Sequence, residues 1–173
     1  VIGQQSGSAL PCCTNWTSDY VSDLANQPFG WLFMVGAFVH GWGNLALTLA
    51  LRGALRPGPL RTWSVLLFGL AAVGILLAAL FPIEAPGQAP NLPGQIHRGA
   101  ASLAFALELA ALFVFSAAFR RQLDWRRPRA ASLVLWVIEA TAVTACVIAL
   151  QLAIAPGLAA RVALAVFLGW EVW

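Results

Sequence analysis

Long apolar stretches, broken by short polar or Pro/Gly segments, run the length of this chain. They fall at 28–51, 61–82, 95–119, 128–155 and 158–173. The first four reach the roughly 20 residues that an α-helix needs to cross hydrocarbon. Pro28 and Pro128 suit a first helical turn, where a missing N–H costs nothing, and Pro82 and Pro156 suit helix ends. The last run offers only about 24 Å at 1.5 Å per residue, against about 30 Å of hydrocarbon, and it stops on Trp-Glu-Val-Trp with no polar tail. The opening "VIGQQSGSAL" reads like the exit from an earlier helix. The pattern predicts an all-α polytopic transmembrane bundle, one domain over 1–173. It predicts five spans in view and six in the native protein, with the sequence starting after one helix and stopping inside another.

Composition agrees with that class. The chain is 60% apolar and 10% charged, whereas a soluble domain carries about 25% charged residues. All of its basic residues are arginine, and they are unevenly spread. Arg52, Arg56 and Arg61 fall in one loop, and Arg120, Arg121, Arg126, Arg127 and Arg129 in another; only Arg98 and Arg161 fall on the opposite side. Short arginine-rich loops stay in the cytoplasm. Loops 52–61 and 120–129 are therefore expected inside a bacterial inner membrane, with residues 1–27, the loop at 83–94 and the turn before 158 outside. Trp31, Trp63 and Trp125 sit near predicted boundaries, as an aromatic belt requires. The net charge of +3 is a topology signal and implies no nucleic-acid partner; the expected partners are the lipid bilayer and other membrane-complex subunits. Cys12, Cys13 and Cys146 have no metal-binding spacing and read as free thiols.

The outer segment carries the first candidate chemistry. "TSDYVSDLAN" can form a short amphipathic helix capped by Thr17 or Ser18. Asp19 and Asp23, at i and i+4, would share a face and repel unless a cation sits nearby. Arg98, Arg161 and His97 are the available partners. The expected outer polar cluster is Asp19, Asp23, His97, Arg98 and Arg161, tying this segment to the bundle. The same atoms also suit acid–base work or a divalent metal, although no ligand spacing calls for a metal.

A second cluster is expected deep in the membrane. Gly36, His40, Asn44 and Thr48 recur every four residues on one helix face. A small-polar stripe of this kind turns towards other helices, because lipid offers its polar groups nothing. His40 lies about 18 Å from Pro28 at 1.5 Å per residue, and Glu108 and Glu139 fall at similar depth. A carboxylate there must be paired or protonated, so His40, Asn44, Glu108 and Glu139 are expected to meet, with a His40–Glu pair as the simplest arrangement. Bis-histidine haem would need His40 and His97 level, yet they fall about 15 Å apart along the membrane normal; no cofactor is expected.

The segments "SDYVSDLA", "ALFP" and "GQIHRGAA" then carry a resemblance. With Ser22, Asp23 and Leu24, Phe81 and Pro82, His97, and the final span opening near Arg161, the chain resembles an uncharacterised prokaryotic membrane family, domain-of-unknown-function family 998. The resemblance covers essentially the whole chain. It implies a six-helix protein and one outer site formed by Asp23, His97 and Arg161, and it names no reaction. With no soluble domain and no catalytic signature, the expected role is a non-catalytic accessory subunit of a larger respiratory or photosynthetic membrane complex. The alternatives are a membrane enzyme acting on lipid at the outer Asp/His/Arg cluster and a small proton-coupled transporter.

Overall fold

Helices form where the apolar runs are long, and local chemistry sets their ends. A computed structural model describes residues 15–85, 87–119, 126–152 and 154–172, without the side chains of 126–129, 150 and 172. A short 3-10 helix, Val21–Asn26, precedes α1 (Gly30–Ala54), α2 (Pro59–Leu80), α3 (Leu92–Phe119), α4 (Arg126–Gln151) and α5 (Pro156–Val172). Pro59 opens α2. The side chain of Asn91 caps α3, its Oδ1 accepting the Gly94 N–H at 2.8 Å. Pro82 ends α2, since the residue before a proline is driven out of helical conformation. Pro28, expected in the first turn of α1, lies just before it: Phe29 is the N-cap, and the Gly30 N–H continues the preceding turn by donating to the Gln27 carbonyl at 2.8 Å.

Four segments, Gly30–Ala54, Pro59–Leu80, Leu92–Phe119 and Ala130–Ala149, are long and apolar enough to cross a membrane. The shorter α5 completes an all-α bundle, with no strand among the described residues. Helix α2 packs against α1 and α3, and α4 against α3 and α5. Small residues permit the close approaches, as they do where membrane helices meet. A Cβ at Gly74 would lie 3.0 Å from the Ala104 Cβ and 3.1 Å from the Ala100 carbonyl oxygen. Aromatic rings join α5 to α2 and α3: Trp170 stacks on Phe115 and leans on Phe68, while Phe167 meets Phe105. Between α3 and α4, the Ser116 and Ser132 hydroxyls bond at 2.7 Å in a buried setting, and the Trp136 Nε1–H donates to the Leu109 carbonyl at 3.1 Å. Large apolar side chains such as Val35 and Val39 on α1 and Val134 and Val137 on α4 face outward, as lipid contact requires. Trp31 and Trp63, both exposed, mark opposite ends of the bundle.

One end gathers the 3-10 helix, the α2–α3 loop and the start of α5. The Asn26 amide reaches the Ile83 and Glu84 carbonyls at 3.4 Å, and the Gly157 N–H donates to the Thr17 carbonyl at 2.9 Å. Arg52, Arg56 and Arg61 lie at the other end, where the Arg61 guanidinium reaches the Arg52 carbonyl at 3.5 Å. Residues 1–14, with Cys12 and Cys13, and residues 120–125, with Arg120, Arg121 and Trp125, lie outside the described residues, as do the side chains of Arg126, Arg127 and Arg129.

Candidate functional site

The two aspartates near the start face their own backbone. Helical geometry begins only at Val21, so Asp19 lies in a turn and does not share a helix face with Asp23. The Asp19 carboxylate accepts the Asn15 N–H at 2.8 Å, and the Asp23 carboxylate accepts the Tyr20 N–H at 2.8 Å. Neither Thr17 nor Ser18 caps the helix; the N-cap is Tyr20. The cations are engaged elsewhere. Arg161 donates to the Trp16 and Asp19 carbonyls at 2.9 and 2.8 Å and lies 4.9 Å above the Trp16 ring. Arg98 pairs with Glu84, a partner the sequence reading overlooked. The expected aspartate–arginine bridges are thus replaced by backbone bonds, because carbonyls freed at turns lie closer to Arg161 than either carboxylate does. Partial burial pushes the Asp23 carboxyl above its ordinary range, a rise opposed by the Tyr20 N–H, reinforced by Asp19 and opposed by Arg161. Arg98 draws the Glu84 carboxyl below its own.

His97 is buried on α3 and takes no part in that surface cluster. Its Nδ1 lies 2.8 and 2.9 Å from the carbonyls of Ala78 and Phe81 at the C-terminus of α2. Two acceptors at that distance fix the proton on Nδ1 and make the ring a cap for orphaned helix carbonyls. In the Nδ1–H tautomer Nε2 is an acceptor, and it has no protein partner among the described residues.

His97 and His40 both line one cavity of about 560 Å³. Its walls are largely apolar, and it runs from Tyr20–Ser22 at one end to Glu108 at the other. Small side chains on four helices create the space, among them Gly36 on α1, Ala79 on α2, Ala101 on α3 and Ala160 on α5. Glu108 stands eleven residues beyond His97 on α3, about 16 Å deeper at 1.5 Å per residue.

The polar residues at that depth converge as the helix-face spacing implies, with one addition. His40 Nε2 lies 2.9 and 3.0 Å from the two carboxylate oxygens of Glu171 near the end of α5. The Asn44 amide reaches His40 at 3.4 Å and Glu108 Oε1 at 3.5 Å. Ligand atoms of His40, Glu108 and Glu171 all fall within 4.8 Å of one another. Asn44 and Glu108 are each 2% exposed. Thr48, next on the stripe, folds its hydroxyl back onto the Asn44 carbonyl at 2.6 Å. The histidine's carboxylate partner is therefore Glu171, which the sequence reading left unassigned at the foot of the last run. A single cue could have found it: Glu171 is fifteen residues past Pro156, about 22 Å below that end of the bundle at 1.5 Å per residue, and so at the level of His40. Glu139, expected in the same group, is fully buried on α4, and its two oxygens have no hydrogen-bond partner.

No curated protein and no solved structure matches this chain. The family described as "Protein of unknown function (DUF998)" matches residues 7–173. Taken with the helical bundle and the motif positions at Asp23, Pro82, His97 and Arg161, that match places the chain in DUF998.

Proposed function

We propose that this protein binds a lipid-soluble molecule within the membrane, its apolar body filling the cavity and its polar head reaching His40 and Glu108. The observation that carries this reading is the cavity itself: about 560 Å³ with mostly apolar walls and a polar floor. Ligand pockets fall at about 300–1,000 Å³ and combine apolar walls with a few convergent polar groups. His97 supplies a second polar point nearer the Tyr20–Ser22 end, where its Nε2 can accept from a bound hydroxyl or amide. Apolar walls disfavour a water-filled path.

Two other roles draw less support. A lipid enzyme centred on the outer aspartates would need free carboxylates, and both are engaged with backbone N–H groups. An accessory subunit needs an apolar face for its neighbours, but the exposed faces of α1 and α4 suit lipid equally well. We place the arginine end in the cytoplasm of a bacterial inner membrane and the Tyr20–Ser22 end of the cavity on the outer side, on the distribution of arginines.

Photolabelling tests the binding role. A diazirine-bearing long-chain alcohol, added to membranes containing the protein, should label cavity residues on α1 and α3. Gly36→Leu should remove most of that labelling, because a Cβ at Gly36 meets nothing within 4 Å and a longer side chain can enter the space without disturbing the fold. Labelling confined to the lipid-facing sides of α1 and α4, or unchanged by Gly36→Leu, would refute the proposal.

A further inference from the structure

Around the floor of the cavity, which His40 and Glu108 line, carboxyl groups outnumber basic ones. Glu108, Glu139 and Glu171 lie close enough to repel one another, and His40 is the one basic side chain among them. Arg98 and Arg161 are engaged at the end of the bundle, with Glu84 and with the Trp16 and Asp19 carbonyls. Ionised carboxylates are costly in so dry a place unless something neutralises them. Glu139 sharpens the imbalance, being fully buried with neither oxygen bonded.

We infer that His40, Glu108 and Glu171 form a binding site for one divalent first-row metal ion of the zinc class, with its remaining coordination position open to the cavity. Neutral imidazole, two carboxylates and a doubly charged cation sum to zero, which suits a dry interior. Imidazole nitrogen and carboxylate oxygen are both ordinary zinc ligands at about 2.0–2.2 Å. Tetrahedral bonds of that length put ligand atoms about 3.3 Å apart, between the His40–Glu171 contact of 2.9 Å and the 4.8 Å that bounds the whole group. Small side-chain rotations suffice. The ion would displace the proton between His40 and Glu171 and any proton held by Glu108, and these leave to solvent as the metal enters. Asn44 would give up its contact with His40 Nε2 as the metal takes that nitrogen, and would keep its bond to the Glu108 carboxylate. The cavity supplies the entry path. Three protein ligands and one open position distinguish a reactive or ligand-binding metal site from a closed structural one. The inference does not depend on what fills the cavity.

Metal titration of the full chain decides the matter. The protein, purified in detergent and stripped with chelator, is titrated calorimetrically with Zn²⁺ and spectroscopically with Co²⁺. One equivalent should bind, with the visible bands of tetrahedral cobalt and no sulfur-to-metal charge transfer. Glu171→Gln and His40→Gln should each weaken binding by more than about 100-fold, beyond the 10–100-fold typical of an outer-shell loss. Absence of saturable binding, thiolate ligation through cysteine, or affinity unchanged in these variants overturns the site. Should the variants not fold, the wild type still answers: Zn²⁺ should raise its thermal midpoint where Mg²⁺ does not, and no such shift overturns the site. Zinc binding without lipid labelling would uphold the metal and refute the cavity's proposed role; labelling without zinc would do the reverse.

Discussion

Asp23 and Glu84 are two carboxylates at the same end of the bundle, and their surroundings push them in opposite directions. Burial raises Asp23, so its charged form favours the unfolded chain and its protonated form the folded one. Its contribution is complete below the ordinary aspartate range and is lost as pH rises through the raised folded value. Asp23→Asn keeps an oxygen for the Tyr20 N–H and drops the charge. At pH 7 its thermal unfolding should match or slightly exceed that of wild type, within about 0.5 kcal/mol, and any advantage should vanish in acid. Asp23→Ala loses the bond to Tyr20 and should cost about 1 kcal/mol. A large loss in Asp23→Asn would restore the ion-pair role that the structure denies it. Glu84 behaves oppositely. Its folded value is lowered, so the stability it adds with Arg98 is present at neutral pH and is lost as pH falls through that lowered value. Glu84→Gln should unfold at a lower temperature at pH 7, and the gap to wild type should close on acidification.

At the scale of elements, Gly157 joins the outer segment to α5. A Cβ there would stand 2.2 Å from the Asp19 carbonyl oxygen, a backbone atom that cannot swing aside. Gly157→Ala should therefore cost about 1–3 kcal/mol, as overpacking does, and limited proteolysis should show faster cleavage within 15–29. Equal protection of that segment in wild type and variant would show that the docking adds little. The sequence announces the helices far better than it announces this junction. Hydropathy marks α1 to α4 because each must bury or expose a full membrane width of side chains, and prolines set several ends. The stripe through His40, Asn44 and Thr48 is legible because four-residue spacing repeats on one face. Glu171 is hard to read because it sits two residues from the end of the last run, where no pattern follows to place it. The Asp19–Asp23 pair misleads for another reason: i,i+4 spacing implies a shared face only inside an α-helix, and the chain is a turn at Asp19 and a 3-10 helix at Asp23. Nor does spacing reveal His97 as a cap for α2, since its two acceptors lie 19 and 16 residues away.

For the molecule as a whole, the ends of the bundle differ in charge and in construction, and that difference predicts how it sits in a membrane. Arg52, Arg56 and Arg61 occupy the α1–α2 end, while the opposite end is closed by the 3-10 helix, the α2–α3 loop and the start of α5, with both of its arginines engaged. The Glu84 carboxylate offsets the charge of Arg98, so the asymmetry exceeds the bare count of arginines. If positive loops stay inside, the Tyr20–Ser22 end of the cavity lies towards the outer face. Single cysteines placed in a background with Cys12, Cys13 and Cys146 changed to serine can read this directly. Gln88→Cys, on the exposed α2–α3 loop, should react with a membrane-impermeant maleimide on intact spheroplasts. Arg56→Cys, exposed at the other end, should react only after the membrane is opened. The reverse pattern would put the Tyr20–Ser22 end of the cavity on the cytoplasmic side, while leaving the cavity and its polar floor as described.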